Sequence, residues 1–275
     1  MKYLNKIKDY RGGKIKVIKS LCIETIFTEF PFEQRFELAK KSGFDYIEFW
    51  SWTDKDIEKI KHLCEKNNLK IASFSGDQDY SLIDLNQSTE YILFVKESIQ
   101  TAKYLGCKYL VIHSNALGPE GKVLNDYSQR STLEKFGAML NTLKYLAPIA
   151  EKEKVTLVLE ALNTEIDHPG NFLSNTKDAA ELIQLVGSPF IKILYDIYHM
   201  QIMEGNLINT VTKYIKEIGY IHIADVPGRH EPGTGEINYS NMVKTLRNLN
   251  YQGFVGFELY PLKTSEDAAK TIQDI

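Results

Sequence analysis

The sequence predicts an α/β fold, a single (β/α)8 TIM barrel. Eight short runs of β-branched and aromatic residues alternate with eight helix-like segments over 275 residues. A chain of about 250 residues is typical of such a barrel, in which parallel strands are joined by crossover helices. The competing open sheet usually has a glycine-rich phosphate turn after its first strand, whereas this chain reads CIETIFTEFPF there, without glycine.

The elements follow one another without a linker or a change in composition. Strands are expected at residues 16–23, 44–50, 69–75, 108–113, 155–160, 191–196, 218–224 and 253–258. Helices are expected at 32–42, 54–67, 88–105, 129–153, 176–187, 206–217 and 239–249, with a last helix running from Ser265 to the C-terminus. This continuity indicates one domain over 1–275, with residues 1–15 as a loose arm or a cap on the bottom of the barrel.

The composition argues against several classes of partner. A formal net charge of −3 provides no bulk attraction to nucleic acid or to an anionic membrane. The basic N-terminus lacks the apolar core of a signal peptide, and no run approaches the roughly 20 apolar residues of a membrane span. The three cysteines form no CxxC pair, which is typical of free thiols. We therefore expect a cytoplasmic protein with a small-molecule substrate, no nucleic-acid partner and no membrane.

Acidic residues recur at the ends of the later strands. Three of these strands end on Glu160, Asp196 and Glu258, and the remaining one carries His222 inside the run and Asp225 at its end. In such barrels the carboxyl ends of the strands form the active-site face. Carboxylates suit hard divalent cations, and imidazole suits Mn, Co, Zn or Fe. The pattern predicts one divalent cation, Mn²⁺ or Mg²⁺ with Co²⁺ or Zn²⁺ as alternatives, at Glu160, Asp196, His222 and Glu258. Asp225 is the rival to His222.

Two segments of the second half supply candidate substrate contacts. In YDIYHMQ, His199 stands three residues past the strand-end aspartate, either as a contact to a substrate oxygen or as a surface histidine on a loop. The loop DVPGRHEPGTGEINY at 225–239 carries Arg229, which can hold a carboxylate or phosphate in bidentate fashion, with His230 beside it. The alternative is a rigid loop whose arginine pairs with one of the loop's own glutamates.

The first half offers fewer candidates. His113 ends the fourth strand within VIHSN, and Trp50 and Trp52 follow the second strand in EFWSW. His113 and Trp50 are candidate substrate contacts, and packing of a satisfied histidine and of aromatic rings at the rim explains them equally well. The same ambiguity holds for Glu48 inside the second strand.

The second half of the chain resembles the sugar isomerase and epimerase barrels of the xylose isomerase-like superfamily. VLEALN, YDIYHMQIMEGN, IADVPGRHEPGTGEINY and GFVGFELYP carry the resemblance, which is strongest to hydroxypyruvate isomerases, while the first 150 residues match only in the barrel pattern. The resemblance implies the four metal ligands already predicted, paired catalytic acids at Glu160 and Glu258, and substrate contacts at His199 and Arg229. It also implies a homo-oligomer.

The implied reaction is the movement of a proton next to a carbonyl through an enediolate. Hydroxypyruvate isomerases typically carry Gln at the position of His222, whereas the related ketose 3-epimerases carry His there. The loop therefore favours a keto-acid or sugar isomerase, and the ligand favours a ketose 3-epimerase. The alternative from a different class is a metal-dependent apurinic-type endonuclease of the same superfamily, which uses three metals and many more histidines than the six present here.

Overall fold

The computed structural model describes residues 17–275, and the predicted arm at 1–15 lies outside them. Eight parallel strands form a closed barrel in sequence order, and the last strand pairs with the first. They are β1 (Ile18–Cys22), β2 (Tyr46–Phe49), β3 (Lys70–Ser75), β4 (Tyr109–Ile112), β5 (Thr156–Glu160), β6 (Ile191–Asp196), β7 (Ile218–Ile223) and β8 (Phe254–Phe257). Each observed strand falls within its predicted segment, so the predicted (β/α)8 fold is confirmed.

The helices of the described part cover the outside of the barrel. They are α1 (Phe32–Lys41), α2 (Ile57–Asn67), α3 (Ser88–Leu105), α4 (Thr132–Glu153), α5 (Thr176–Val186), α6 (Ile197–Met203), α7 (Leu207–Tyr214), α8 (Tyr239–Asn248) and α9 (Ser265–Asp274), with short 3₁₀ turns at Leu85–Gln87 and Pro119–Gly121. Within residues 17–275, no helix combines the length and apolar character that crossing a bilayer requires.

Helix α6 was not predicted from the sequence. It starts directly after β6, because the side chain of Asp196 accepts hydrogen bonds from the backbone N–H groups of Tyr198 and His199 and so caps the helix. A helix of seven residues is too short to show a helical period, and neither glycine nor proline separates it from the strand. The interpretation of His199 as a surface loop residue is therefore wrong, since His199 is helical and buried.

Alternation along the strands decides which side chains enter the barrel. One layer of the interior is apolar and aromatic: Ala72, Val111, Val158, Leu194 and Tyr220, with Tyr46, Tyr109 and Phe254 packed against it. Two residues further along β5, β6 and β7, the same alternation brings Glu160, Asp196 and His222 inside, above this layer. The residues between them, such as Leu159 and Tyr195, belong to the larger core between barrel and helices.

Candidate active site and metal centre

The four predicted ligands meet at the carboxyl ends of β5 to β8. His222 Nδ1 lies 3.8 Å from Glu160 Oε1 and 3.5 Å from Glu258 Oε2. Asp196 and His222 are register partners on neighbouring strands, and Asp196, His222 and Glu258 each offer one atom within 4.8 Å of the other two. The structure therefore brings together all four side chains that the sequence singles out.

Unsatisfied polar atoms show that this group fits a cation. Glu160 Oε1, Asp196 Oδ2 and His222 Nδ1 are buried and have no hydrogen-bond partner among residues 17–275. Each comes from a different strand, and each buried polar atom without a partner is costly. Two carboxylate oxygens and an imidazole nitrogen form a donor set that suits Mn²⁺, Co²⁺ or Zn²⁺, and the carboxylates also suit Mg²⁺.

The charges of the cluster shift the pKa values of its members. Burial alone would lower the pKa of His222, but nearby carboxylates, with Glu48 foremost, raise it well above its usual value. Burial alone would raise the pKa of Glu160, but the neighbouring imidazoles of His113 and His222 hold it well below its usual range. The imidazole therefore takes the place of a cation among the carboxylates, and a metal ion would replace its proton.

The pKa values of Asp196 and Glu258 shift in opposite directions, although both carboxyl groups lie near Arg229. Burial raises the pKa of Asp196 to about 7, against the opposing attraction of Arg229. Burial would also raise the pKa of Glu258, but Arg229, whose Nη2 lies 2.6 Å from Glu258 Oε2, lowers it below its usual range. The same nitrogen lies 3.8 Å from Asp196 Oδ2, so the pairing with Glu258 is the closer one.

Arg229 reaches the mouth from the loop after β7. Its guanidinium lies over the ring of Tyr198, 5.2 Å from the centroid, and its Nε has no hydrogen-bond partner within the described residues. The backbone carbonyl of Arg229 accepts a hydrogen bond from Tyr260 N–H at 2.8 Å, which ties the loop to the segment after β8. The arginine pairs with Glu258. The rigid-loop alternative, in which Arg229 pairs with a glutamate of its own loop, is therefore wrong.

Asp225 organises this loop. Its carboxylate accepts hydrogen bonds from the backbone N–H groups of Val226, Gly233 and Ile237 at 2.8–3.0 Å. A carboxylate held by three backbone donors along the loop has little left to offer a cation, which favours His222 over Asp225 as a ligand. In the same loop, His230 directs Nδ1 to the carbonyl oxygen of Tyr260 at 2.7 Å, so the ring contacts the loop's neighbour at the rim.

Asn163 holds the neutral ring of His199 in one tautomer. Asn163 Oδ1 accepts from two backbone N–H groups, so its Nδ2 is the donor that lies 2.7 Å from His199 Nδ1. The proton of His199 is therefore on Nε2, 3.5 Å from Asp196 Oδ2. Burial and the charge of Arg229 keep the pKa of His199 well below its usual value. Although His199 lies close enough to Glu160 and Asp196 to share a cation, this tautomer makes it a neutral hydrogen-bond donor.

Two candidates of the first half contact the paired glutamates. His113 Nε2 lies 3.4 Å from Glu160 Oε2, and its Nδ1 lies 3.0 Å from Asp77 Oδ1. Burial would lower the pKa of His113, but Asp77 and Glu160 raise it to about 10. Trp50 donates its indole N–H to Glu258 Oε1 at 2.5 Å, with its ring partly exposed at the mouth.

Sequence reasoning missed Asp77 and Asn163 and left Glu48 undecided. Asn163 follows Glu160 by three residues in VLEALN. Asp77 lies two residues after Ser75, the last residue of β3. Glu48 lies in the barrel interior, 3.2 Å from His222 Nε2. Alternation from Tyr46 places Glu48 on the inner side, whereas a register shift between β2 and β3 breaks the alternation that would locate Asp77. Trp52, in contrast, donates its indole N–H to Ser98 on α3 and so packs toward the helix layer.

The chain is an enzyme of the isomerase and epimerase class. It belongs to the xylose isomerase-like TIM barrel family, whose model matches residues 36–275. It is 37% identical over 255 residues to hydroxypyruvate isomerase of Escherichia coli (strain K12), covering 90% of this chain and 95% of that protein. It is 30% identical over 244 residues to 2-oxo-tetronate isomerase of Haemophilus influenzae, covering 86% and 90%.

Solved structures share the fold. An AP endonuclease, family 2, from Brucella melitensis superposes with a TM-score of 0.86 at 26% identity, covering 94% of this chain and 99% of that one. A D-allulose 3-epimerase from Methylomonas sp. superposes with a TM-score of 0.77 at 19% identity, covering 94% and 95%. The epimerase likeness shows the common barrel, and the chemistry must be argued from the site.

Proposed function

We propose that this enzyme is a divalent-metal-dependent isomerase of the hydroxypyruvate isomerase type, acting on a short 2-keto acid or a related small sugar. One observation carries the proposal. Glu160, which is buried, and Glu258, which is partly buried, lie 3.8 and 3.5 Å from His222 Nδ1, and a guanidinium lies beside Glu258. This arrangement joins two proton carriers to a binding group for a substrate carboxylate.

The glutamates perform the proton transfer. Their pKa values lie below the usual range, so both side chains are ionised at neutral pH, which is the form that a general base requires. One of them removes the proton from the hydroxyl-bearing carbon next to the carbonyl, and a proton then returns to the former carbonyl carbon. The hydroxyl proton passes to the former carbonyl oxygen, so that the hydroxyl becomes the new carbonyl. His113, protonated because its pKa is raised, lies against Glu160 and holds that carboxylate in place.

Two other residues orient the substrate. His199 presents Nε2–H toward the cluster as a neutral donor, which suits a substrate carbonyl or hydroxyl oxygen. Arg229 would pair with the carboxylate of a keto acid through parallel N–H groups, and its Nε has no other partner within residues 17–275. A neutral ketose would engage Arg229 through a hydroxyl only.

Glu160, Asp196, His222 and Glu258 would hold the cation. Mn²⁺ or Mg²⁺ is our first choice, and Co²⁺ or Zn²⁺ also matches the donor set. When bound, the cation would supply electrostatic stabilisation of the negative charge that develops on the substrate oxygen. A homo-oligomer in the cytoplasm remains a prediction, and light scattering of the purified protein measures its subunit number.

A ketose 3-epimerase is the second candidate. His222 favours it, since an imidazole in the ligand set is the feature that sets this chain apart from typical hydroxypyruvate isomerases. An epimerase needs Glu160 and Glu258 on opposite faces of one carbon, so that one takes and the other gives the proton. Glu160 ends β5 and Glu258 directly follows β8, and both lie close to His222 Nδ1, which supports this arrangement as well.

A substrate screen in D₂O separates these functions. The metal-loaded enzyme is incubated with short 2-keto acids, with C4–C6 ketoses and with an abasic-site oligonucleotide, and NMR follows solvent deuterium. Deuterium at the carbon next to the carbonyl of hydroxypyruvate, together with aldehyde product, supports the isomerase. Deuterium at carbon 3 of a ketose with inverted configuration supports the epimerase. Strand cleavage without either exchange would refute both and favour an endonuclease.

A further inference from the structure

Glu48 is a buried carboxylate to which the proposed proton transfer assigns no role. It lies on β2 and is 3% exposed. Its Oε2 accepts hydrogen bonds from Ser73 Oγ at 2.7 Å and from the Tyr220 hydroxyl at 2.9 Å, and lies 3.2 Å from His222 Nε2. Ser20 Oγ lies 3.4 Å from the other oxygen. Side chains from β1, β3 and β7 therefore hold this carboxylate in one position.

This contact decides which nitrogen of His222 faces the cation ligands. Because Ser73 and Tyr220 donate to Glu48 Oε2, that oxygen is an acceptor, and the nitrogen facing it carries a hydrogen. Nε2 of His222 is thus a donor to Glu48. Nδ1, the other nitrogen, points to the carboxylates on the far side of the ring at 3.5 and 3.8 Å and has no hydrogen-bond partner among residues 17–275.

The barrel leaves room for this pair at Gly256. Gly256 is the register partner of His222 on β8. A methyl group at Gly256 would lie 2.2 Å from Glu48 Oε1 and 2.8 Å from His222 Cδ2, so any side chain there would displace the pair. The ring of Tyr220 meets the ring of His222 edge to face, with centroids 5.5 Å apart at 88°.

We propose that Glu48 is a positioning residue that sets the tautomer and ring orientation of His222, so that Nδ1 is the nitrogen offered to the cation. The inference rests on the proposed metal centre. Histidine ligands generally donate their second N–H to a carboxylate or carbonyl, and losing that partner typically weakens metal binding by about 10–100-fold. Glu48 is the carboxylate that accepts the second N–H of His222, from across the barrel.

A double-mutant cycle tests the role by its effect on Mn²⁺ affinity, measured by calorimetry. Glu48→Met removes the acceptor and keeps the length of the side chain. We expect it to weaken Mn²⁺ binding about 10–100-fold when His222 is present, and less than about 3-fold in the His222→Gln background. An equal loss in both backgrounds would mean that Glu48 acts only by its charge, and would overturn the proposal. Glu65→Met, on the exposed side of α2, is the matched control.

A second measurement uses the wild-type protein, so it does not depend on whether Glu48→Met folds. In wild-type protein loaded with diamagnetic Zn²⁺ or Mg²⁺, long-range ¹H–¹⁵N NMR should show the His222 proton on Nε2, with the signals assigned by comparison with His222→Gln. A proton on Nδ1 would overturn the inference. Failure of the wild type to bind any of these ions would remove the metal centre itself. Normal wild-type binding with unchanged affinity in Glu48→Met would reject only the role of Glu48.

Discussion

The two halves of the barrel contribute differently to the mouth. The second half, β5 to β8 with the segments that follow them, supplies the side chains to which we assign chemistry. The first half, β1 to β4, supplies three groups that each contact a different one of these: Glu48 with His222, His113 with Glu160, and Trp50 with Glu258. In the proposed mechanism, the second half therefore carries out the reaction and the first half orients the groups that do so.

The largest effect is expected for the paired glutamates. Glu160→Gln and Glu258→Gln each remove a proton carrier, and we expect kcat/KM to fall by about 10²–10⁴-fold or more. Steady-state kinetics at saturating metal, with metal content measured separately, distinguish lost chemistry from lost metal. The control Glu236→Gln changes an exposed loop glutamate. Near-native turnover in either variant would move the chemistry away from the second half.

Arg229 should come next, with an effect that depends on the substrate. Arg229→Ala removes the group that would pair with a keto-acid carboxylate, and we expect about 10–100-fold lower kcat/KM on hydroxypyruvate but less on a neutral ketose. Arg229→Lys should recover only part, because lysine lacks the bidentate fork. Arg247→Ala, exposed on α8, serves as the control. Identical kinetics on both substrates would exclude Arg229 from the site.

Metal affinity should rise with pH through neutrality. Burial raises the pKa of Asp196 to about 7, so below that pH a proton competes with the cation for this carboxylate. His222, whose pKa is also raised, must lose a proton too. With two protons displaced, the apparent association constant should grow by up to about 100-fold per pH unit below 7, and by about tenfold per unit above 7 while His222 is still protonated. Calorimetric titrations between about pH 5.5 and 8.5 check this, and a flat profile would contradict it.

A smaller effect is expected for His113 in the first half. His113→Gln removes the positive charge against Glu160 but leaves the metal ligands in place. We expect kcat to fall about tenfold, with metal content unchanged, because Glu160 loses a charge-assisted hydrogen bond. His62→Gln, exposed on α2, is the matched control. A loss as large as that of Glu160→Gln would show that the first half takes part in the chemistry itself.

Trp50 should show the smallest effect. Trp50→Phe keeps an aromatic ring at the rim but removes the N–H that donates to Glu258. Since the ring is 43% exposed, water can replace part of this hydrogen bond, and we expect kcat/KM to fall less than about 10-fold. Trp52→Phe, which loses a contact to α3 instead, is the comparison. Greater damage from Trp52→Phe would indicate that packing of the rim matters more than orientation of Glu258.

Local patterns in the sequence were enough to predict the barrel and the cluster of candidate ligands. Each strand is a short apolar run, and alternation of side chains sends Glu160, Asp196 and His222 to the inside of the barrel. Parallel closure then places neighbouring strand ends at one mouth, so residues near strand ends could be grouped before any coordinates were known. The short helix α6 escaped because it shows no helical period of its own.

Only the tertiary structure decided how these residues are oriented. Glu48 meets His222 across the barrel and Asp77 meets His113 from a neighbouring strand, which depends on closure and register rather than on any pattern along the chain. Whether Asp225 or His222 faces the cluster depended on the hydrogen bonds of a loop. The sequence by itself determined that the four candidate ligands gather at the mouth, because that follows from strand periodicity. Their tautomers, pairings and pKa values follow from contacts between distant segments, which exist only once the barrel has closed.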